Sequence, residues 1–187
     1  MLKSPAMWCA MLTVALLAPF LNKAFHIDDP IYLWVAQHIH AHPLDYYGFN
    51  VNWSGLTTTV AEENKNPPLV SYFIALAACI TGWNEIGLHL AFLIPAVALT
   101  LGTYVLAKRL CDHPAFAATV SILSPVFLVS ATNVMTDVLM AAFYVWTVAM
   151  WLKASESNRW TAYVLPCLLI VAAALSKYFA VSLVPLL

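Results

Sequence analysis

Residues 86–107 read IGLHLAFLIPAVALTLGTYVLA, a run of 22 positions without a charged side chain, and Lys108 and Arg109 follow it directly. A bilayer core about 30 Å thick is crossed by a helix of roughly 20 apolar residues. This run therefore predicts a transmembrane helix whose end is marked by two cations.

Four further apolar segments resemble this run, and together they place the predicted spans at about 4–24, 86–107, 114–134, 137–152 and 160–177. The chain of 187 residues is 63% hydrophobic and only 9% charged, with a mean hydropathy of +0.81. A soluble domain carries about 25% charged residues because its surface faces water. The net charge of −1 gives no basic footprint for nucleic acid. We predict an all-α fold, a polytopic transmembrane helical bundle covered largely by lipid.

The segment 25–85 is predicted to be one long external loop that carries juxtamembrane helices. Its apolar stretch 69–80 has 12 residues between polar flanks, which suits an interfacial helix better than a span. The stretch 31–44 is loosely amphipathic and also fits a helix in the interface plane. Aromatic residues of this loop are typical of an interface belt: Trp34, Tyr46, Tyr47, Trp53 and Trp83.

Lysine and arginine positions bear on the topology, because cytoplasmic loops hold the excess of positive charge. With the amino terminus inside and 69–80 not crossing, five of the eight cations are cytoplasmic: Lys3, Lys108, Arg109, Lys153 and Arg159. An arrangement in which 69–80 crosses and the amino terminus lies outside puts six of the eight inside. Charge alone leaves both open, and the shortness of 69–80 favours the first.

Two adjacent carboxylates, Asp28 and Asp29, follow the first span at once. Near a low-dielectric boundary such a pair is costly unless a cation, proton or substrate balances it. Asp-Asp-Pro also fits the start of a helix, where the dipole favours acids and Pro30 suits the first turn. The pair is thus either a functional site or a helix start.

Three other polar positions are placed on the same external side by the preferred topology. Asp137 lies between two apolar runs, where it also fits a helix cap. Lys177 ends the fifth span, where a snorkelling lysine is the alternative. Lys65 and Asn66 precede the rigid turn Pro67-Pro68. Acids and lysines on one face suggest a site that binds an anionic head group and holds a base.

Taken together, these motifs resemble the amino-terminal region of GT-C membrane glycosyltransferases. The resemblance rests on the acid pair after the first span, Lys65-Asn66-Pro67-Pro68-Leu69, Thr136-Asp137 and Ser176-Lys177-Tyr178-Phe179-Ala180. The branch is similar to bacterial family 39 enzymes, which are related to dolichyl-phosphate-mannose protein mannosyltransferases and the lipid A aminoarabinose transferase. The chain departs from the family in Ser176 and Ala180, and Lys65-Asn66 differs from the Glu-Lys usual in the aminoarabinose branch.

The resemblance implies roles for individual residues. Asp28 matches the catalytic base, and Asp29 matches a supporting acid beside it. Substrate binding is implied for Lys65, Asn66, Asp137, Lys177 and Tyr178. Whether a divalent metal ion is used stays open, and Asp28 and Asp137 are the acids that would hold it. The chain is expected to be the amino-terminal part of a longer protein.

The implied reaction is an inverting sugar transfer from a polyprenyl-phosphate donor to a protein, lipid or glycan acceptor. It would take place at the outer face of a membrane, in a bacterium at the periplasmic face of the inner membrane. A transporter or permease fragment is the alternative, but transporters place ionisable groups near the bilayer midplane, where these spans have almost none. A non-catalytic scaffold would leave the external acids and lysines without a shared purpose.

Overall fold

The computed structural model describes residues 4–157 and 159–187, and their regular structure is almost entirely helical. The helices in chain order are α1 (Pro5–Leu17), α2 (Asp29–Ala41), α3 (Val60–Glu63), α4 (Leu69–Thr81), α5 (Glu85–Leu110), α6 (Pro114–Ile122), α7 (Pro125–Ala131), α8 (Thr136–Ser155) and α9 (Val164–Ser176). Short 3-10 segments lie at Ala18–Phe20, Trp160–Tyr163 and Tyr178–Leu186. The predicted all-α fold is confirmed.

Two of these helices, α5 and α8, are long and apolar enough to cross a membrane, and α6 with α7 would make a third span. Three apolar helical stretches are shorter: Pro5–Phe20, Leu69–Thr81 and Trp160–Ser176. Large apolar side chains point outward from the bundle, and Phe116, Val126 and Leu168 are each more than 60% exposed. Such a surface suits lipid rather than water. The chain is thus an integral membrane protein, and the number of five spans stays a prediction.

The predicted span 114–134 is not one straight helix, because α6 and α7 are bent by 61° at their junction. Pro125 disfavours helical geometry at the preceding residue, and Ser124 is extended at φ −65° and ψ 140°. Ser124 then caps the new helix, since its hydroxyl accepts a hydrogen bond from the Phe127 N–H at 3.2 Å. The dipeptide Ser124-Pro125 is therefore the sequence signal for the break.

The long helices α5 and α8 pack side by side in the centre of the bundle. Gly102 allows the close approach, because a Cβ there would lie 2.6 Å from a methyl group of Val145. One turn away, the Trp146 indole donates a hydrogen bond to the Ala98 carbonyl at 2.8 Å. On the other sides, α5 contacts α1 and α6, whereas α8 contacts α9.

The segment 25–85, the predicted external loop, contacts α5 through α4. Helix α2 packs on α4, and buried residues of both helices form a common core, among them Val35, Ile39, Val70 and Ile74. Each helix has 13 residues, about 20 Å in length, which is too short for the 30 Å core. In the chain, an antiparallel hairpin of β1 (Asn50–Asn52) and β2 (Thr57–Thr59) follows α2 and precedes α3 and α4. The two helices predicted in this segment are present, and their position at the membrane interface stays a prediction.

Candidate active site

The two acids of the Asp28-Asp29 pair occupy different environments. Asp28 is exposed and directly precedes α2, whereas Asp29, the first residue of the helix, is 0% exposed. The backbone of Ile27 is left-handed at φ 55°, a conformation that costs a β-branched residue about 1–3 kcal/mol. The chain therefore makes a strained turn immediately before the pair, which exposes one carboxylate and buries the other.

Asp29 uses both carboxylate oxygens on backbone amides. One accepts from the N–H of His26 at 3.1 Å, and the other from the N–H of Val134 at 2.9 Å. Burial raises the pKa of Asp29, and these hydrogen bonds together with His26 and His89 act in the opposite direction. Asp29 thus anchors the turn before α2 to the segment before α8.

A second contact joins the same two segments. The Lys23 ammonium donates to the Thr132 carbonyl at 3.1 Å and to Asn133 Oδ1 at 2.5 Å. The sequence alone gave no signal for these contacts, because the partners of Lys23 are more than 100 residues away.

Tyr32 lies in α2, four residues after Asp28, and contacts Asn66. Its hydroxyl accepts a hydrogen bond from Asn66 Nδ2 at 2.9 Å, and its side chain is only 4% exposed. Burial raises the pKa of Tyr32; Thr136 and Asn66 lower it, and the charges of Asp28 and Asp137 raise it further. Sequence reasoning missed Tyr32, although its position four residues after Asp28 puts both on one helix face.

Asp137 and Lys177 form an ion pair with 2.7 Å between Oδ1 and Nζ. Asp137 lies in the first turn of α8, and Lys177 follows the last residue of α9. The side chains are 35% and 33% exposed, so both remain open to solvent. Lys177 therefore points to the acid of the neighbouring helix. Packing of α8 on α9 brings together two residues that the sequence singled out separately.

Asn66 is also held through its backbone, because its carbonyl accepts a hydrogen bond from the Tyr47 hydroxyl. Burial raises the pKa of Tyr47, and the nearby Tyr32, Tyr178 and Tyr46 raise it further. The Tyr47 hydroxyl is thus used within the segment 25–85, and the interpretation of Tyr47 as an interface-belt residue stays a prediction. Tyr178 is 64% exposed beside this cluster.

Lys65 is exposed next to Asn66 and has no acidic partner within 4 Å among the described residues. Throughout residues 4–157 and 159–187, no group of three or more His, Cys, Asp or Glu side chains lies close enough together to hold a metal ion. A divalent ion at Asp137 would have to compete with Lys177. The use of a metal stays an open prediction.

A helical membrane bundle with acids, an amide and a lysine gathered at the external-loop end has the organisation of a GT-C membrane glycosyltransferase. A family model confirms this class: the model described as dolichyl-phosphate-mannose-protein mannosyltransferase matches residues 65–187. The chain belongs to this family. No curated protein and no solved structure matches the chain. The matched region includes Lys65, Asn66, Asp137, Lys177 and Tyr178 and begins after Asp28 and Asp29.

Proposed function

We propose that the protein transfers a sugar from a polyprenyl-phosphate donor to an acceptor hydroxyl at the outer face of the membrane. Membership of the mannosyltransferase family supports the reaction class. The observation that carries the proposal is the Asp137–Lys177 ion pair, together with the Tyr32–Asn66 hydrogen bond and the exposed Asp28, which precedes the helix that carries Tyr32. The donor tail would lie in lipid beside the apolar bundle, with its phosphate at the level of this cluster.

Asp28 is the proposed general base. It is exposed, whereas both oxygens of Asp29 are occupied by backbone amides. Asp28 removes the proton of the acceptor hydroxyl while that oxygen attacks the anomeric carbon of the donor sugar. The bond from the anomeric carbon to the phosphate oxygen breaks, and polyprenyl phosphate leaves with the electron pair. A well-placed base contributes about 10²–10⁴ in rate.

Lys177 is the proposed contact of the leaving phosphate. An ammonium group has three donors, and one of them is directed to Asp137. Two donors remain for phosphate oxygens, and Asp137 fixes the direction in which they point. Lys65 supplies a second exposed cation at the same end of the bundle. Oriented charges of this kind stabilise a growing negative charge best where water is scarce.

Asp29 is proposed to support Asp28 by position rather than by chemistry. Its bond to the His26 N–H closes the strained turn at Ile27, and its bond to Val134 fixes the segment that leads to Asp137. Asn66 is assigned to the sugar-phosphate donor, with Tyr32 and Tyr47 holding its side chain and carbonyl. Tyr178 forms an exposed wall of the same site.

The test uses the full-length protein reconstituted in vesicles with a polyprenyl-phosphate sugar and an acceptor. Asp28→Asn should reduce transfer by 10² or more with unchanged thermal stability. Asp112→Asn is the matched control, because Asp112 is an exposed aspartate at the opposite end of the bundle. Transfer by Asp28→Asn at the wild-type rate would exclude Asp28 as the base.

A further inference from the structure

A cavity of about 640 Å³ lies between the carboxyl-terminal ends of α5 and α8. Helix α8 has 20 residues, which is about 30 Å in length, and Asp137 lies at its other end. The cavity is therefore separated from the candidate active site by roughly the thickness of the hydrocarbon core. It therefore lies at the opposite membrane surface, and none of its lining residues belongs to the candidate active site.

The polar wall of the cavity carries a net positive charge. Glu156 accepts two hydrogen bonds from the Arg109 guanidinium, at 2.5 and 3.3 Å, which fixes this side chain at the wall. Lys108 is exposed beside it and has no acidic partner within 4 Å in the described ranges 4–157 and 159–187. Two cations and one acid leave a charge of +1 on this wall.

The remaining wall is apolar and continues into the lipid-facing side of the bundle. Val105 and Leu152 line it together with Leu110, whose side chain is 70% exposed. Ser155 also lines the cavity, and its hydroxyl donates to the Leu152 carbonyl at 2.9 Å. A ligand that fits this arrangement has a compact anionic group at one end and hydrocarbon at the other.

We propose that this cavity binds the phosphate head group of an anionic phospholipid from the leaflet opposite the active site. The phosphate contacts Lys108 and Arg109, and an acyl chain lies along Val105 and Leu152. Basic pockets between transmembrane helices bind anionic head groups in this way. Because the lipid contacts both α5 and α8, it stabilises the packing of the helix that carries Asp137.

The experiment measures lipid retention on the full-length protein by native mass spectrometry, with phosphatidylglycerol against phosphatidylcholine in mixed nanodiscs. Wild type should retain phosphatidylglycerol preferentially and gain thermal stability from it. Lys108→Ala should weaken this retention about fivefold, the effect of roughly one cation near an anionic lipid. Lys108→Glu should abolish the preference, and Lys108→Arg should keep it.

Lys153→Ala is the matched control, because Lys153 lies in the last turn of α8 but lines a different cavity. Its phosphatidylglycerol retention should equal that of wild type. Equal retention by Lys108→Ala and wild type would overturn the proposal. If soluble glycerol phosphate stabilised wild type as much as phosphatidylglycerol does, the proposal that the bound anion is a phospholipid head group would be wrong.

Discussion

Asp29 accepts a hydrogen bond at 2.9 Å from the backbone N–H of Val134, 105 positions further along the chain. The bond joins the turn before α2 to the segment before α8, and the contacts of Lys23 with Thr132 and Asn133 reinforce it. The two segments that carry Asp28 and Asp137 are therefore one connected unit. Its rigidity depends on a carboxylate that is completely buried.

The stability of this unit should depend on pH through Asp29. Burial raises the pKa of Asp29, so the folded state binds its proton more readily than the unfolded state. The stabilisation from protonation is fully present below the ordinary pKa of about 4 and is lost as pH rises through the higher folded pKa. Wild type should therefore lose stability relative to Asp29→Asn over that interval, measured by thermal unfolding in detergent. A constant difference between the two curves would contradict this, and the comparison is repeated in a His26→Gln background, which removes the neighbouring imidazole.

The Asp137–Lys177 pair should matter more for activity than for stability. The pair is about one-third exposed, and such ion pairs contribute at most about 1 kcal/mol. Lys177→Ala should therefore change the melting temperature little but reduce kcat/KM for the donor by 10²–10³, the usual effect of removing one oriented donor. Arg159→Ala, an exposed cation outside the site, should leave both quantities unchanged. A loss of activity only in proportion to unfolding would contradict the phosphate role.

Tyr32→Phe should reduce sugar transfer by loosening Asn66. The substitution removes the acceptor of the Asn66 amide, and an unsatisfied buried group costs about 1–3 kcal/mol. Tyr72→Phe is the matched control, because it removes another tyrosine hydroxyl of the same loop, which donates to Pro43 instead. We expect a higher KM for the donor only in Tyr32→Phe. Equal kinetics of the two variants would show that the Tyr32 hydroxyl does not position Asn66.

The topology is tested at the two ends of α4. We expect α4 to lie in the interface, because it packs on α2 and has only 13 residues. Single cysteines introduced at Lys65 and Trp83, in a background without Cys9, Cys79, Cys111 and Cys167, should then react with a membrane-impermeant thiol reagent from the same side. Lys153→Cys should react from the other side. Labelling of the two α4 positions from opposite sides would establish that α4 crosses.

Local patterns in the sequence were sufficient to predict α4 and α5. The apolar run 86–107 lies within α5, and the short segment 69–80 lies within α4, because hydrophobic length and turn residues act over a few neighbours. The same reasoning left the break at Ser124-Pro125 inside one expected span. The sequence did contain a signal for the break, because proline restricts the backbone of the residue before it. The prediction missed it because the whole segment 114–134 is apolar.

The sequence by itself determined that this is a helical membrane protein with acids and lysines at the ends of its apolar segments. Only the tertiary structure decided that Asp29 is buried while Asp28 is open, and that Lys177 pairs with Asp137. It also brought the Tyr32 hydroxyl into contact with the Asn66 amide, and the Lys23 ammonium into contact with the segment before α8. These contacts span 34 to 110 positions of the chain. They depend on how α2, α4, α8 and α9 pack against each other, and no local periodicity encodes that packing.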